Sequence, residues 1–231
     1  MRIAFLSDIH GNYPALKEVI KYLNKEKIIN IFCLGDYVNY YYQPQKCIDL
    51  LIKNKAKCIK GNHESIFFRS LKYPKIKKKL SEKYGNSIFL NEKILKKRHL
   101  DFLKSLPTKI ETNINNKSFL VAHGAPWDNN FYFYSDVKNK WKKKINSYNK
   151  DFIILGHTHK AMNLKISKKL TVFNPGSIGQ PRDNYRYASW LLLETDRLKF
   201  KFMRTKYNLS EIIKQIKDND PHNQKLLRYF N

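Results

Sequence analysis

Short apolar runs recur along the chain, and each ends in polar or glycine-containing sequence. Their length and their β-branched and aromatic content favour buried strands over helices. The predicted strands cover residues 3–7, 28–34, 56–60, 119–122, 152–155 and 170–173. Between the first three, the apolar spacing changes to that of helices that can open at Pro14 and Pro44. This alternation predicts βαβ units at the start of an α/β fold.

Turn signals in the later sequence predict antiparallel hairpins. Asn115-Asn116 separates residues 110–114 from 118–121, and a polar turn over 167–169 separates 164–166 from 170–173. A third hairpin joins 187–193 to 199–203. We predict a single domain over residues 1–231, because no linker divides the chain. Residues 65–106 are helical and basic and are expected to be an insertion, and residues 208–231 a helical tail with Ser210 as its N-cap.

The amino-acid composition says less about function than the pattern of hydrophobic and polar positions does. The formal net charge of +26 indicates an anionic partner such as a nucleotide or nucleic acid, or a coding bias towards lysine and asparagine. Three scattered cysteines argue against a disulfide framework and a thiolate metal site. The first apolar run meets Asp8 too early for a signal peptide, and no run approaches membrane-spanning length. We therefore expect a cytoplasmic protein that does not act at a membrane; its oligomeric state stays open.

Five of the predicted strands are followed by residues that can carry chemistry. The motifs are Asp8-Ile9-His10, Gly35-Asp36, Gly61-Asn62-His63-Glu64, His123-Gly124 and Gly156-His157-Thr158-His159. Loops past the carboxyl ends of strands gather around one crevice in an open α/β sheet, so these motifs are expected to meet. Each has a structural alternative, such as a turn at Gly35-Asp36 or a packed histidine at His123. Because all five motifs directly follow predicted strands, one shared site is favoured over five separate structural roles.

Oxygen and imidazole ligands without thiolate suit manganese, iron or zinc better than calcium. Two such ions, bridged by one carboxylate, can clamp the attacking and leaving oxygens of a phosphate ester. A water between them loses a proton readily and becomes the nucleophile. The motifs therefore predict a two-metal phosphoesterase.

In this order, the five motifs resemble those of the calcineurin-like metallophosphoesterases. The run from Asn174 to Arg182 is similar to the small prokaryotic branch of YfcE-type phosphodiesterases and diadenosine tetraphosphatase-like proteins. The resemblance covers the chain from Met1 to about Tyr207. It implies a four-layer α/β-β/α sandwich of two mixed sheets, and two divalent ions, with manganese first and iron, zinc or nickel as alternatives.

The resemblance also implies residue roles. Asp8, His10 and His159 would bind one ion, Asn62, His123 and His157 the other, and Asp36 would bridge them. His63 would be the general acid or would stabilise the leaving oxygen. The turn Asn174-Pro175-Gly176-Ser177 would support the metal loops. In protein phosphatases of the superfamily an aspartate orients this histidine, but here Asn39 stands in its place and Tyr40 replaces the following arginine, so a protein-phosphatase role is not expected.

The sequence leaves the substrate open. Tyr37 and Tyr41, in a tyrosine cluster with Tyr40 and Tyr42, are candidates for stacking on a nucleobase or for packing the insertion onto the core. Arg182 and Arg186 are candidates for gripping a distal phosphate, or simple surface arginines. We expect hydrolysis of a phosphodiester or a dinucleoside polyphosphate. One alternative is a nuclease or an RNA-end phosphoesterase. The other is a non-catalytic scaffold, although the full set of metal ligands argues against it.

Overall fold

The computed structural model describes residues 1–184 and 186–227. Its strands are β1 (Arg2–Leu6), β2 (Asn30–Cys33), β3 (Lys57–Cys58), β4 (Lys109–Ile114), β5 (Lys117–Ala122), β6 (Phe152–Leu155), β7 (Ala161–Lys165), β8 (Thr171–Pro175), β9 (Tyr187–Glu194) and β10 (Lys199–Lys206). Its helices are α1 (Tyr13–Lys25), α2 (Pro44–Lys53), α3 (Asn62–Lys72), α4 (Pro74–Tyr84), α5 (Ser87–Ile94), α6 (Lys97–Ser105), α7 (Asn139–Asn146), α8 (Leu209–Asn219) and α9 (Gln224–Leu227).

The first sheet has the strand order β10-β9-β1-β2-β3. β1, β2 and β3 are parallel, joined by α1 and α2, as the βαβ pattern predicts. α1 begins where the Asn12 side chain accepts a hydrogen bond from the Ala15 amide, and Pro14 lies in its first turn. The hairpin β9–β10 pairs antiparallel with β1. The sheet is therefore mixed, with the carboxyl ends of β1, β2 and β3 at one edge.

The second sheet has the order β4-β5-β6-β8-β7. The predicted hairpins β4–β5 and β7–β8 are present, and Asn115 and Asn116 both have positive φ (47° and 59°), as a primed turn requires. The pairs β5–β6 and β6–β8 are parallel, and the hairpin turn signals made no prediction about them. The reason for the parallel pairing is topological: α7 carries the chain from β5 to β6, and β7 lies at the edge beyond β8.

Apolar side chains from both sheets form a core between them, including Phe5, Phe32, Phe119, Phe173 and Leu193. Separate apolar clusters cover the outer faces. One packs α1, α2 and α8 on the first sheet, and the other packs the α7 segment on the second. The predicted sandwich of two mixed sheets flanked by helices is confirmed.

Four helices, α3 to α6, lie between β3 and β4, where the sequence predicts a helical insertion. α3 begins at Asn62, within a strand-end motif, so the helical segment starts at the candidate site itself. α4 ends at Tyr84, and the following Gly85 has a φ of +74°, a left-handed conformation that favours glycine. The predicted division into one domain with an insertion stays a prediction.

The tail helix α8 begins at Leu209, capped by the Asn208 side chain rather than by the predicted Ser210. Residues 228–231 of the predicted tail lie outside the described residues. Directly after α8, the Asp220 carboxylate accepts hydrogen bonds from the Tyr42 hydroxyl (2.7 Å) and from the Asn86 backbone amide (2.9 Å). This Asp220 node joins the tail to the loop after β2 and to the start of α5. In the part of the chain that the structure describes, no helix is long and apolar enough to cross a membrane.

Candidate metal centre

The five strand-end motifs meet at one edge of the sandwich, in an unusual backbone conformation. Asp8, His10, Asp36, His157 and His159 all have positive φ, between 50° and 67°. Such conformations cost about 1–3 kcal/mol each for a residue with a side chain, and they persist only where surrounding contacts impose them. Here the His10 amide donates to the Asp36 carbonyl at 2.8 Å, and the His157 amide to Asp8 Oδ2 at 3.0 Å.

Three predicted ligands, Asp8, His10 and His159, form one cluster. His159 Nε2 lies 3.1 Å from His10 Nε2 and 3.3 Å from Asp8 Oδ1, and His10 Nε2 lies 4.0 Å from Asp8 Oδ1. All three side chains are buried. Their ligand atoms are within 4.8 Å of one another, close enough to hold one ion.

A second cluster, Asp36, His123 and His157, lies beside the first, and Asp36 and His10 also form a group with His63. His123 Nε2 lies 3.2 Å from Asp36 Oδ2 and 2.9 Å from Asn62 Oδ1, and His157 joins the same group. Asp36 Oδ2 is also 3.8 Å from His10 Nε2 in the first cluster. The structure thus brings all seven predicted ligands together, with the Asp36 carboxylate between the two groups.

Backbone carbonyls fix the orientation of the imidazole rings. Nδ1 of His10, His123 and His159 lies 3.2, 2.6 and 2.8 Å from the carbonyl oxygens of Val38, Leu34 and Gln180 respectively. When Nδ1 donates its proton there, Nε2 keeps its lone pair for a metal ion. In His157 it is Nε2 that lies 3.1 Å from a carbonyl, that of Asn130, which leaves Nδ1 as the ligand atom.

The chemistry of this donor set fits divalent ions. Asp8 Oδ1 and Asp36 Oδ2 are fully buried and have no hydrogen-bond partner within the described residues. Burial raises the pKa of Asp8, but the nearby His159 and His123 imidazoles lower it by more, so the pKa lies well below its usual range. Burial lowers the pKa of His123, and the Asp36 and Asp8 carboxylates raise it to about 10. Without a metal ion, the protonated His123 ring is the cation beside these buried carboxylates. A divalent ion would displace that proton, and oxygen and imidazole ligands suit transition metals.

Side chains from neighbouring segments support these loops. Asn174 donates to the Gly156 carbonyl at 2.6 Å, and the Ser177 hydroxyl to the Asp8 carbonyl at 2.7 Å. Glu64, for which the sequence suggested no role, is fully buried and accepts hydrogen bonds from the backbone amides of Asp36, Tyr37 and Gly61 at 2.8–2.9 Å. These contacts hold the loops after β1, β2, β3 and β6 against one another.

His63 lies beside the metal clusters and is enclosed by aromatic rings. Its ring centroid is 4.8 Å from that of Tyr84 and 5.2 Å from that of Tyr40. Asn39 Nδ2 lies 3.0 Å from His63 Nδ1, and Asn91 of α5 donates to Asn39 Oδ1 at 3.3 Å. Burial is the main cause that lowers the pKa of His63, to about 4, although Asp36 opposes it. A neutral ring that accepts at Nδ1 carries its proton on Nε2.

A cavity of about 290 Å³ opens above these groups. Its lining includes Asp36, Tyr40, Asn62, His63, Ile66, Lys83, Tyr84, Asn130, Tyr132, His157, His159 and Arg182. Lys83 and Tyr84 come from α4, in the predicted insertion. Their spacing in the sequence does not indicate that they face the site. The basic character of the predicted insertion was the one sequence feature that indicated a role for this segment.

Two substrate-binding expectations need correction. Tyr37 and Tyr41 are fully buried and do not line the cavity. The Tyr37 hydroxyl donates to the carbonyls of Ile59 (2.8 Å) and Cys33 (3.1 Å), which holds β3 to β2 from below the site. Both rings belong to the core that the helices form on the first sheet. Within the tyrosine cluster it is Tyr40 that faces the cavity.

The two candidate arginines lie in different places. Arg182 lines the cavity, and its backbone amide donates to the His159 carbonyl at 3.0 Å. Arg186 is exposed, is not among the lining residues, and its amide contacts the Asn184 side chain at 3.3 Å. The structure therefore brings Arg182, but not Arg186, to the site.

Several known proteins resemble this chain in sequence or in fold. An uncharacterised protein from Methanocaldococcus jannaschii is 32% identical over 239 residues, covering 94% of this chain and 92% of its own. A hypothetical protein from Pyrococcus horikoshii has a similar structure, with a TM-score of 0.84, 22% identity, and coverage of 98% of this chain and 96% of that one. A metallophosphoesterase from Sphaerobacter thermophilus gives a TM-score of 0.78 at 24% identity over 99% and 98% of the two chains.

Two more distant structures share the fold. The phosphoesterase YfcE from E. coli matches with a TM-score of 0.53 at 18% identity, over 90% of this chain and 100% of that one. A putative diadenosine tetraphosphatase matches with a TM-score of 0.58 at 16% identity, over 88% and 93%. The sequence model of the calcineurin-like phosphoesterase superfamily domain matches residues 1–198. The resemblance read from the strand-end motifs is confirmed: this chain belongs to the calcineurin-like phosphoesterase superfamily.

Proposed function

We propose that this protein is a dinuclear metal-dependent phosphoesterase that hydrolyses phosphodiesters or dinucleoside polyphosphates. The observation that carries the proposal is the pair of buried carboxylate oxygens, Asp8 Oδ1 and Asp36 Oδ2, which face imidazole nitrogens beside a cavity that Asp36 lines. In this proposal Asp8, His10 and His159 hold one ion, Asn62, His123 and His157 hold the other, and Asp36 is shared. Manganese is the first candidate for both positions, with iron, zinc and nickel as alternatives.

When bound, the two ions would neutralise charge on the phosphate and activate the attacking water. The chain's own residues complete the chemistry. We assign His63 to the leaving group: its Nε2–H would donate a hydrogen bond to the ester oxygen and stabilise the charge that develops there as the P–O bond breaks. Asn39, 3.0 Å from Nδ1, fixes the ring in that tautomer. Asn39 is an amide and adds no charge, so its contribution is to orient the ring.

The cavity wall supports an anionic substrate larger than a monoester. Lys83 and Arg182 both line it and can contact further phosphate oxygens. Tyr40, at the position of the protein-phosphatase arginine, and Tyr84 narrow the approach to His63. A short chain of linked phosphates or a diester uses these contacts better than a phosphoprotein side chain does.

The test is a substrate panel on metal-free protein reloaded with manganese, with ion content measured on the same sample. The panel contains bis-p-nitrophenyl phosphate, diadenosine tetraphosphate, a phosphoserine peptide and a short RNA, at one salt concentration. We expect the first two to give the highest kcat/KM. A phosphopeptide preference would refute the substrate assignment. RNA preference, with affinity that falls steeply with salt, would favour the nucleic-acid alternative. Turnover absent throughout with two ions bound would refute the enzymatic proposal.

A further inference from the structure

A row of aromatic side chains leads from the candidate metal centre to the surface. Tyr132 packs on the ring of His157 with 4.1 Å between centroids, and Tyr134 stacks on Tyr132 at 5.9 Å and 15°. Lys160 extends the row, with Nζ 5.9 Å from the Tyr134 ring centroid. The row therefore starts on a predicted metal ligand and ends at a cation.

Core packing does not explain this row. The segment Phe131-Tyr132-Phe133-Tyr134 alternates in direction, as extended chain does. Phe133 is 1% exposed, and Phe131 packs on Trp127 and Trp141 in the outer core of the second sheet. The phenylalanines thus fill the core, while Tyr132 remains 48% exposed although it contacts the site. Large rings held at the surface by a packed backbone are a suitable stacking platform.

A separate cavity of about 260 Å³ adjoins the outer end of the row. Tyr134 and Lys160 line it together with the exposed residues Ser135 and Asn163. Thr158 also lines it and lies between the predicted ligands His157 and His159, but its hydroxyl already accepts hydrogen bonds from the Asn174 side chain and the Lys160 amide. The exposed aromatic surface of the row can stack on a base, and the Asn163 amide, the Ser135 hydroxyl and the Lys160 ammonium group can bind its edge.

We propose that Tyr132, Tyr134 and Lys160 form a subsite for the nucleobase of a nucleotide ester whose phosphate lies over the metal centre. The inference rests on the proposed function and narrows its substrate class to nucleoside phosphodiesters and dinucleoside polyphosphates. Stacking on an aromatic side chain tolerates any base, so the subsite selects for a base over an alkyl group without choosing among bases.

The experiment compares two esters that release the same p-nitrophenolate, thymidine 5′-(p-nitrophenyl) phosphate and ethyl p-nitrophenyl phosphate. The manganese-loaded wild type should have a kcat/KM about tenfold or more higher for the thymidine ester. Tyr134→Leu should lose about that factor through KM on the thymidine ester and leave the ethyl ester unchanged. Tyr134→Phe should restore it, and Tyr73→Leu, which removes an exposed ring elsewhere, is the matched control.

A binding measurement separates this inference from the proposed function. By calorimetry, the wild type should bind thymidine 5′-monophosphate about tenfold more tightly than deoxyribose 5-phosphate, and Tyr134→Leu should remove the difference. Equal binding of the two ligands by the wild type, or equal losses by Tyr134→Leu on both esters, overturns the subsite. Failure of the wild type to hydrolyse either ester, with base-dependent binding intact, overturns the hydrolytic proposal and leaves the subsite standing.

Discussion

Replacing Tyr37 with phenylalanine distinguishes a structural tyrosine from a substrate-binding one. The hydroxyl is fully buried and donates to the carbonyl oxygens of Ile59 at 2.8 Å and Cys33 at 3.1 Å. The ring itself packs on Phe102 of α6, with 6.3 Å between centroids, and phenylalanine keeps that contact. We expect Tyr37→Phe to lower the stability of the fold and leave kcat and KM unchanged.

The size of the effect follows from the two acceptors. The Cys33 carbonyl also receives the Ile59 amide at 3.0 Å, so it keeps a partner in the variant. The Ile59 carbonyl loses the donor at 2.8 Å inside the core. A buried acceptor left without its partner costs about 1–3 kcal/mol, so the free energy of unfolding should fall by about that amount. For a chain of this size, Tm falls by about 2–4 °C per kcal/mol.

Urea unfolding followed by circular dichroism measures the free energy, and steady-state kinetics on bis-p-nitrophenyl phosphate measures activity. Tyr73→Phe is the control, because that side chain is 45% exposed. A Tyr37→Phe variant with wild-type stability and a raised KM would refute this reasoning and return Tyr37 to the substrate site.

Three further predictions concern the site and its surroundings. His63→Ala should keep both ions and lose about 10²–10³-fold in kcat, the usual cost of removing one hydrogen-bond donor that stabilises charge in the transition state. Asp36→Asn should keep the hydrogen bond that the His63 amide makes to Oδ1 at 2.8 Å but lose bound metal, measured by elemental analysis. Burial raises the pKa of Tyr207 to about 12, whereas an unfolded tyrosine titrates near 10. The stability that this shift contributes is complete below pH 10 and lost as pH rises towards 12, so the stability deficit of Tyr207→Phe should shrink by up to about 3 kcal/mol across that window.

Each of these has a contrary result. Loss of metal from His63→Ala would make His63 a ligand instead. Full metal content in Asp36→Asn would remove the shared carboxylate from the proposal. A Tyr207→Phe deficit that is constant between pH 10 and 12 would show that the Tyr207 hydroxyl does not resist ionisation in the folded chain.

The parts of the fold that local sequence determines could be predicted. Apolar runs gave the strands, Pro14 and Pro44 gave the first helices, and Asn115-Asn116 gave a hairpin. The parallel pairing of β5, β6 and β8 could not be predicted, because turn signals report only on neighbouring strands. Parallel order depends on which crossover packs best on the whole sheet, and that is a property of tertiary structure.

The same division holds for the candidate site. Its ligand types lie directly after strands, where chain direction alone brings them together, so they were visible in the sequence. The residues of its wall were not visible in the sequence. Tyr84 of α4 contacts His63 although it lies 21 positions further along the chain, and no periodicity in the sequence predicts this contact. Tyr37 and Tyr40 are three positions apart, and only packing decides that the first is buried and the second lines the cavity.

The Asp220 node connects the wall of the cavity to the helical tail. Asp220 is separated by 178 residues from Tyr42 and by 134 from Asn86, yet one carboxylate holds both. Tyr42 lies two positions after Tyr40 in the loop after β2, and Asn86 follows Tyr84 by two positions. Loss of the Asp220 contacts would therefore loosen both segments that carry the aromatic walls around His63. The Asn86 amide should exchange with solvent deuterium only when its contact with Asp220 opens, which ties the protection of the cavity wall to a residue that does not line the cavity.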